Sequence, residues 1–167
     1  PSKEAPLNAF LLADILHDIG LPPGVFNLVS GHGSEVGEIL SSHPDIDMVS
    51  FTGSTSAGVR VSQAAASTVK RVTLELGGKS ANVILDDADV IRAAKSAIGA
   101  CYQNSGQTCS ALTRLIIPKD HEDEIIEIVS SRVNGYTPGD PLNENTRCGP
   151  MVSEKQQQCV LSYITSG

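Results

Sequence analysis

Several features are scarce or missing in this chain, and each removes a class of function. Lys and Arg number 12 against 19 Asp and Glu, giving a formal net charge of −7. A phosphate backbone is held by clustered Lys and Arg, so a nucleic-acid partner is excluded. No apolar run approaches the ~20 residues of a membrane span, and no secretory leader opens the chain. The expectation is a cytoplasmic protein with no membrane partner. The cysteines are Cys101, Cys109, Cys148 and Cys159, with no CxxC pair, and the four histidines fall away from ligand spacing. Neither a zinc centre nor a disulfide framework is indicated, so the four thiols are read as free and no metal is expected. No internal repeat or low-complexity tract occurs.

What remains is an ordinary α/β composition. The 167 residues are 40% hydrophobic and include 15 glycines, a length that suits one domain or a piece spanning two. Pro1 to Pro6 begins without methionine and reads as a loop, while Ser153 to Gly167 reads as a helix with no following strand to pack it. Both ends are expected to continue into something longer.

Along the chain, Leu7, Phe10, Leu11, Ile15 and Leu16 recur at helical spacing between Pro6 and His17, with Gly20 and Pro22-Pro23 as the stop. Val25 to Val29 reads as a buried strand, and the Gly31–Gly33 turn leads into a short helix carrying Val36, Ile39 and Leu40. Met48 to Phe51 is a strand, Thr52 to Gly58 leads into a helix ending near Ala66, and Arg71 to Leu76 is a further strand. Helix–strand alternation with short connections predicts a Rossmann-like parallel sheet, with the turns at Gly31, Thr52 and Leu76 along one edge. Past Gly77-Gly78 the pattern restarts. A strand covers Asn82 to Leu85, and a helix capped at Asp87 to Asp89 runs through Cys101. A strand follows from Leu112 to Ile117, a helix from Glu122 to Val133, and a Gly-, Pro- and Asn-rich loop from Asn134 to Pro150. The expected organisation is a partial cofactor-binding domain over residues 1–77 and the first part of a second, catalytic α/β domain over residues 78–167.

Three stretches can carry chemistry. In Phe51-Thr52-Gly53-Ser54 a strand passes through glycine into a helix start, where free N–H groups and the helix dipole suit a phosphate oxygen. The Gly53–Gly58 spacing is neither the dinucleotide fingerprint nor a P-loop, so alone it is a weak signal. Glu75 ends its strand in phase with the polar positions Arg71 and Thr73. That phase fits a surface carboxylate, but open α/β sheets bind ligands at strand carboxyl ends. Cys109 lies in Asn104-Ser105-Gly106-Gln107-Thr108-Cys109, a polar, glycine-containing segment. A lone cysteine is usually a small buried hydrophobe, yet these neighbours disfavour a core position. A thiol and a carboxylate base at element ends are the parts of acyl-level chemistry.

Together these stretches resemble the aldehyde dehydrogenase superfamily. Leu74-Glu75-Leu76-Gly77-Gly78-Lys79 is similar to its glutamate motif and Asn104 to Cys109 to its cysteine motif. Leu21-Pro22-Pro23-Gly24-Val25 and Gly139-Asp140-Pro141 are secondary hallmarks. The resemblance spans essentially the whole chain, which corresponds to a middle portion of a complete member. It implies that Cys109 attacks an aldehyde, that hydride passes to NAD or NADP, and that Glu75 activates the water that releases the acid. It also implies that the backbone N–H of Cys109 is one oxyanion donor. Ser2, Lys3, Gly33, Thr52, Gly53, Ser54, Gly58 and Leu76 would serve the cofactor, with Leu76 at the nicotinamide carboxamide and the Gly31–Gly33 turn toward the adenine. A homodimer or homotetramer is implied for the complete protein.

The family's asparagine oxyanion donor, a ribose-binding lysine and a second ribose-binding glutamate fall outside these 167 residues. The segment alone is therefore expected to be inactive or nearly so. Lys3 stands where NAD-preferring members commonly carry glutamate, which predicts that NADP is accepted alongside NAD. Two alternatives stay open, a CoA-acylating relative and a non-catalytic protein on the same fold. Glu75 disfavours the first; Cys109 and Glu75 together disfavour the second.

Overall fold

The computed structural model describes residues 1–167. It is a mixed α/β structure with two short parallel sheets, and it divides into compact units at Pro1–Gly77 and Gly78–Gly167.

In the first unit, α1 (Leu7–Asp18) ends as its sequence predicts. Gly20 takes φ +79°, Gly20 N–H donates to His17 O and Leu21 N–H to Leu16 O. This left-handed glycine cap satisfies the last carbonyls of the helix. The short second helix, α2, opens as a wide π-turn at Gly33–Gly37 and continues as α-helix over Glu38–Ser42. Strand β1 (Met48–Gly53), helix α3 (Thr55–Ala66) and strand β2 (Arg71–Leu76) form one parallel crossover unit. Ala65 is buried, and the exposed pair Arg60–Glu38 at 3.1 Å links α3 to α2.

One expected strand is absent. Val25 to Val29 has no ladder partner, because the sheet contains only β1 and β2. Val25 N–H instead donates to Pro22 O at 3.2 Å and the Asn27 amide to Gly24 O at 2.8 Å. These backbone groups are met by a turn, and Val25 and Val29 are exposed. A strand exists only beside a neighbour that completes its hydrogen bonds, so the Gly31 turn does not follow a strand end.

In the second unit, β3 (Ala81–Val83) pairs in parallel with β4 (Arg114–Ile116), and Ile84 N–H extends the ladder to Ile116 O. Asp89 caps α4 (Val90–Tyr102) by accepting from Arg92 N–H at 2.9 Å. Ile84, Ala94 and Ile125 centre the core, where α4 packs on α5 (Glu122–Val133) with Leu115, Ile117 and Ile128 around them. Both strands are shorter than expected. Leu112 N–H donates to Ala100 O at 3.3 Å, which diverts the start of the second one to the end of α4. Residues 134–150 are not wholly irregular: Asn134–Tyr136 is a 3-10 turn, and Pro138 bridges to Cys148. Helix α6 (Glu154–Ser166) starts at a Ser153 cap. No helix is long and apolar enough to cross a membrane.

Candidate functional site

Within the first unit, six of the expected site residues converge. The β1–β2 register sets Thr52 opposite Glu75 and Gly53 opposite Leu76, all at the carboxyl ends of adjacent parallel strands. Side chains alternate along a strand, and the polar phase of β2 leaves Arg71, Thr73 and Glu75 exposed while Val72 and Leu76 are half-buried. The carboxylate that reads as a surface residue by phase is thus exposed at a strand end.

Gly53 and Ser54 connect β1 to α3. Ser54 is extended (φ −75°, ψ 154°), and its Oγ accepts from Ala57 N–H at 3.3 Å. Such a cap contributes about 1 kcal/mol and leaves other first-turn N–H groups of α3 free to meet an anion. At Gly53 a Cβ would lie 2.5 Å from Phe51 Cζ, so any larger residue there must displace the Phe51 ring.

Gly58 is buried one turn into α3, and the structure gives it a packing task. A Cβ there would lie 2.8 Å from Leu76 Cδ2 and 3.3 Å from Leu76 Cδ1, so the missing side chain is the seat of Leu76. Gly58→Val is expected to destabilise the fold by roughly 2 kcal/mol, since overpacking outweighs the small propensity gain over glycine. A lowered urea midpoint with an unchanged slope would show it; an unchanged midpoint would mean that Leu76 repacks freely.

Gly33 opens α2 and is exposed, with nothing within 4 Å of a Cβ built on it. Ser2 and Lys3 lie exposed ahead of α1. Their partners are local: Ser2 Oγ accepts from Glu4 N–H at 3.2 Å, and Lys3 Nζ is 3.6 Å from Glu4 Oε1.

Cys109 belongs to the second unit and is exposed, whereas Cys148 is buried. The chain reaches Cys109 through an unusual turn. Asn104, Ser105 and Gly106 adopt φ of +51°, +58° and +73° in succession, inside the 3-10 segment Gln103–Gly106. Left-handed geometry costs a non-glycine residue roughly 1–2 kcal/mol, so two such residues require compensation. Gln107 N–H donates to Asn104 O at 3.1 Å and Ala111 N–H to Thr108 O at 3.0 Å, folding the segment around the cysteine. The N–H of Cys109 itself makes no hydrogen bond within the chain, which leaves it available to an oxyanion. Gly78 packs here too, since a Cβ on it would lie 3.5 Å from Cys109 O.

The distant strap Cys148–Val152 completes the turn, and sequence reasoning missed it. Ser105 Oγ donates to Gly149 O at 2.7 Å, Val152 N–H donates to Gln107 Oε1 at 2.9 Å, and Cys148 Sγ lies 3.5 Å from Ser105 Oγ. Ser105 and Gln107 sit inside the cysteine motif. Their partners more than forty positions along the chain have no local signal.

Comparison with known proteins gives this geometry a family. Residues 1–167 match the profile described as "Aldehyde dehydrogenase family". The chain is 48% identical over 171 residues to 3-succinoylsemialdehyde-pyridine dehydrogenase of a Pseudomonas species, covering 100% of this chain and 36% of that protein. Among solved structures, it is similar to a cysteine-to-alanine mutant of aldehyde dehydrogenase C from Pseudomonas syringae in complex with NAD+ and octanal. That match has a TM-score of 0.96 at 49% identity, over 100% of this chain and 34% of the other. Betaine aldehyde dehydrogenase from Staphylococcus aureus in complex with NAD+ gives a TM-score of 0.91 at 35% identity, over 96% and 32%. The chain thus spans about a third of the length of these relatives. With a profile match along its whole length, the chain belongs to the aldehyde dehydrogenase family.

Proposed function

We propose that this chain is the central part of a hydrolytic, NAD(P)-dependent aldehyde dehydrogenase. Residues 1–77 serve the cofactor and residues 78–167 carry the nucleophile. The observation that carries the proposal is the exposed Cys109 thiol at the end of a braced left-handed turn, in a chain of this family.

The residues at the carboxyl end of β1–β2 fit a dinucleotide. Ser54 and the first turn of α3 offer donors to the pyrophosphate, and Gly53 lets it approach the backbone. Thr52 and Gly58 support that turn, Leu76 lies toward the nicotinamide, and Gly33, Ser2 and Lys3 serve the adenosine half. The bound nicotinamide supplies the hydride acceptor. The Cys109 thiolate adds to the aldehyde carbon to give a thiohemiacetal, whose oxyanion is held by the N–H of Cys109. Loss of hydride leaves a thioester on the same sulfur. Glu75 takes a proton from water, the hydroxide attacks the thioester, and the carboxylate departs as the thiol is restored.

Aldehydes with an apolar tail, such as octanal, and semialdehydes are the first substrates to test, because one similar structure is a complex with octanal and another similar protein is named for a semialdehyde. The assay is formation of reduced cofactor by the complete protein, with and without CoA. Turnover without CoA supports the proposal; absence of turnover with every aldehyde overturns it, and strict dependence on CoA identifies an acylating relative. The 167-residue segment alone is expected to show no turnover, and the complete enzyme to be a homodimer or homotetramer.

Lys3 bears on cofactor choice. Its exposed ammonium favours a 2′-phosphate where a carboxylate would repel it. Lys3→Glu is expected to lower kcat/KM with NADP by roughly tenfold and to leave kcat/KM with NAD within a few-fold. Strict NAD dependence, unchanged in Lys3→Glu, would remove this role.

A further inference from the structure

We propose that Ser105 and Gln107 are positioning residues for Cys109, acting through the strap Cys148–Val152. The inference rests on the reading of Cys109 as nucleophile and adds the means by which it is aimed. Three observations carry it.

The first is the backbone. Asn104 and Ser105 are two of only three non-glycine residues in the chain with positive φ, and with Gly106 they form a continuous left-handed turn. Strained backbone persists only where surrounding structure over-determines it, and it gathers at functional sites. The second is the pair of cross-links. Ser105 donates its hydroxyl proton to Gly149 O at 2.7 Å, and Gln107 accepts the N–H of Val152 at 2.9 Å. These two bonds grip the turn on both sides of Gly106, and Gln107 is two residues from the thiol. The third is burial. Cys148 is 6% exposed and lies 3.5 Å from Ser105 Oγ, so this part of the strap is anchored in the protein.

Gln107 also returns its amide proton to Asn104 O at 3.3 Å, and the Asn104 amide reaches Gln107 O at 3.4 Å. The glutamine therefore closes the turn on itself while tying it to Val152. Without the acceptor at Gln107, the N–H of exposed Val152 loses its bond to the turn, and the turn is free to relax toward right-handed geometry. The thiol then drifts from its attack position, and an error near 1 Å can cost about 10²-fold in rate. Such a loss falls on the chemical step, because neither residue belongs to the expected aldehyde or cofactor contacts.

The test uses the complete enzyme with Gln107→Leu, Gln107→Glu and Ser105→Gly. Leucine removes the acceptor, glutamate keeps a carboxylate oxygen for Val152, and glycine tolerates the left-handed φ while deleting the hydroxyl. Gln107→Leu should lower kcat by on the order of tenfold or more, with KM for aldehyde and for cofactor within about threefold and a melting temperature close to wild type. Gln107→Glu should recover most of that kcat. Ser105→Gly should also lose kcat, and it decides the matter if the leucine variant does not fold. Wild-type kcat in Gln107→Leu or in Ser105→Gly, or a glutamate variant as slow as leucine, would overturn the proposal. A Cys109→Ser control separates this outcome from failure of the underlying reading, because full activity there removes the nucleophile and the positioning role together.

Discussion

Cys109→Ala is expected to reduce aldehyde oxidation by the complete enzyme on the order of 10⁴-fold, with cofactor affinity unchanged. The size follows from removing a covalent nucleophile for which no neighbour substitutes. The other three thiols are poor candidates: Cys148 is buried, Cys101 lies on α4, and Cys159 lies on α6. None is carried by a turn like that at Asn104–Gly106. Binding should survive because the residues proposed to hold the cofactor belong to the other compact unit. Fluorescence titration of the alanine variant with NAD+ separates this outcome from general misfolding. Loss of both binding and rate would point to a folding defect instead.

The second large effect is expected at Glu75, and its signature differs in kind. Glu75→Gln keeps the size and exposure of the side chain at the end of β2 but removes the base. In the proposed mechanism, acylation of Cys109 and hydride loss do not need that base, whereas thioester hydrolysis does. A pre-steady-state burst of reduced cofactor close to one per active site is expected, followed by turnover slowed by about 10²- to 10⁴-fold. A carboxylate with no role beyond the surface of β2 would give neither the burst nor the slow phase. If Glu75→Gln slowed the burst as well, the residue would act before the thioester.

Much of this was legible in the residues, and the exceptions share one cause. Helices α1, α3, α4 and α5 follow from their apolar spacing and from local caps at Gly20, Ser54 and Asp89. The pairing of β1 with β2 places Glu75 beside Thr52, as helix–strand alternation predicts for neighbouring parallel strands. Val25 to Val29 failed as a strand because β structure depends on a partner that the segment itself does not encode. The same limit applies to Ser105 and Gln107. Their residue types indicate a polar, glycine-containing segment, while their geometry depends on Gly149 and Val152, more than forty positions away and without a local signal. Gly58 illustrates a subtler gap: the family resemblance implies a cofactor role for it, and its neighbours reveal a seat for Leu76.

Cys109 as the covalent carrier of the substrate is tested most directly by mass. Glu75→Gln in the complete enzyme is mixed with octanal and NAD+, quenched in acid and digested. An octanoyl group on the peptide containing Cys109, near one per active site and absent without NAD+, is the predicted result. An unmodified Cys109 peptide during a full burst, or the acyl group on Cys101, Cys148 or Cys159, would contradict it.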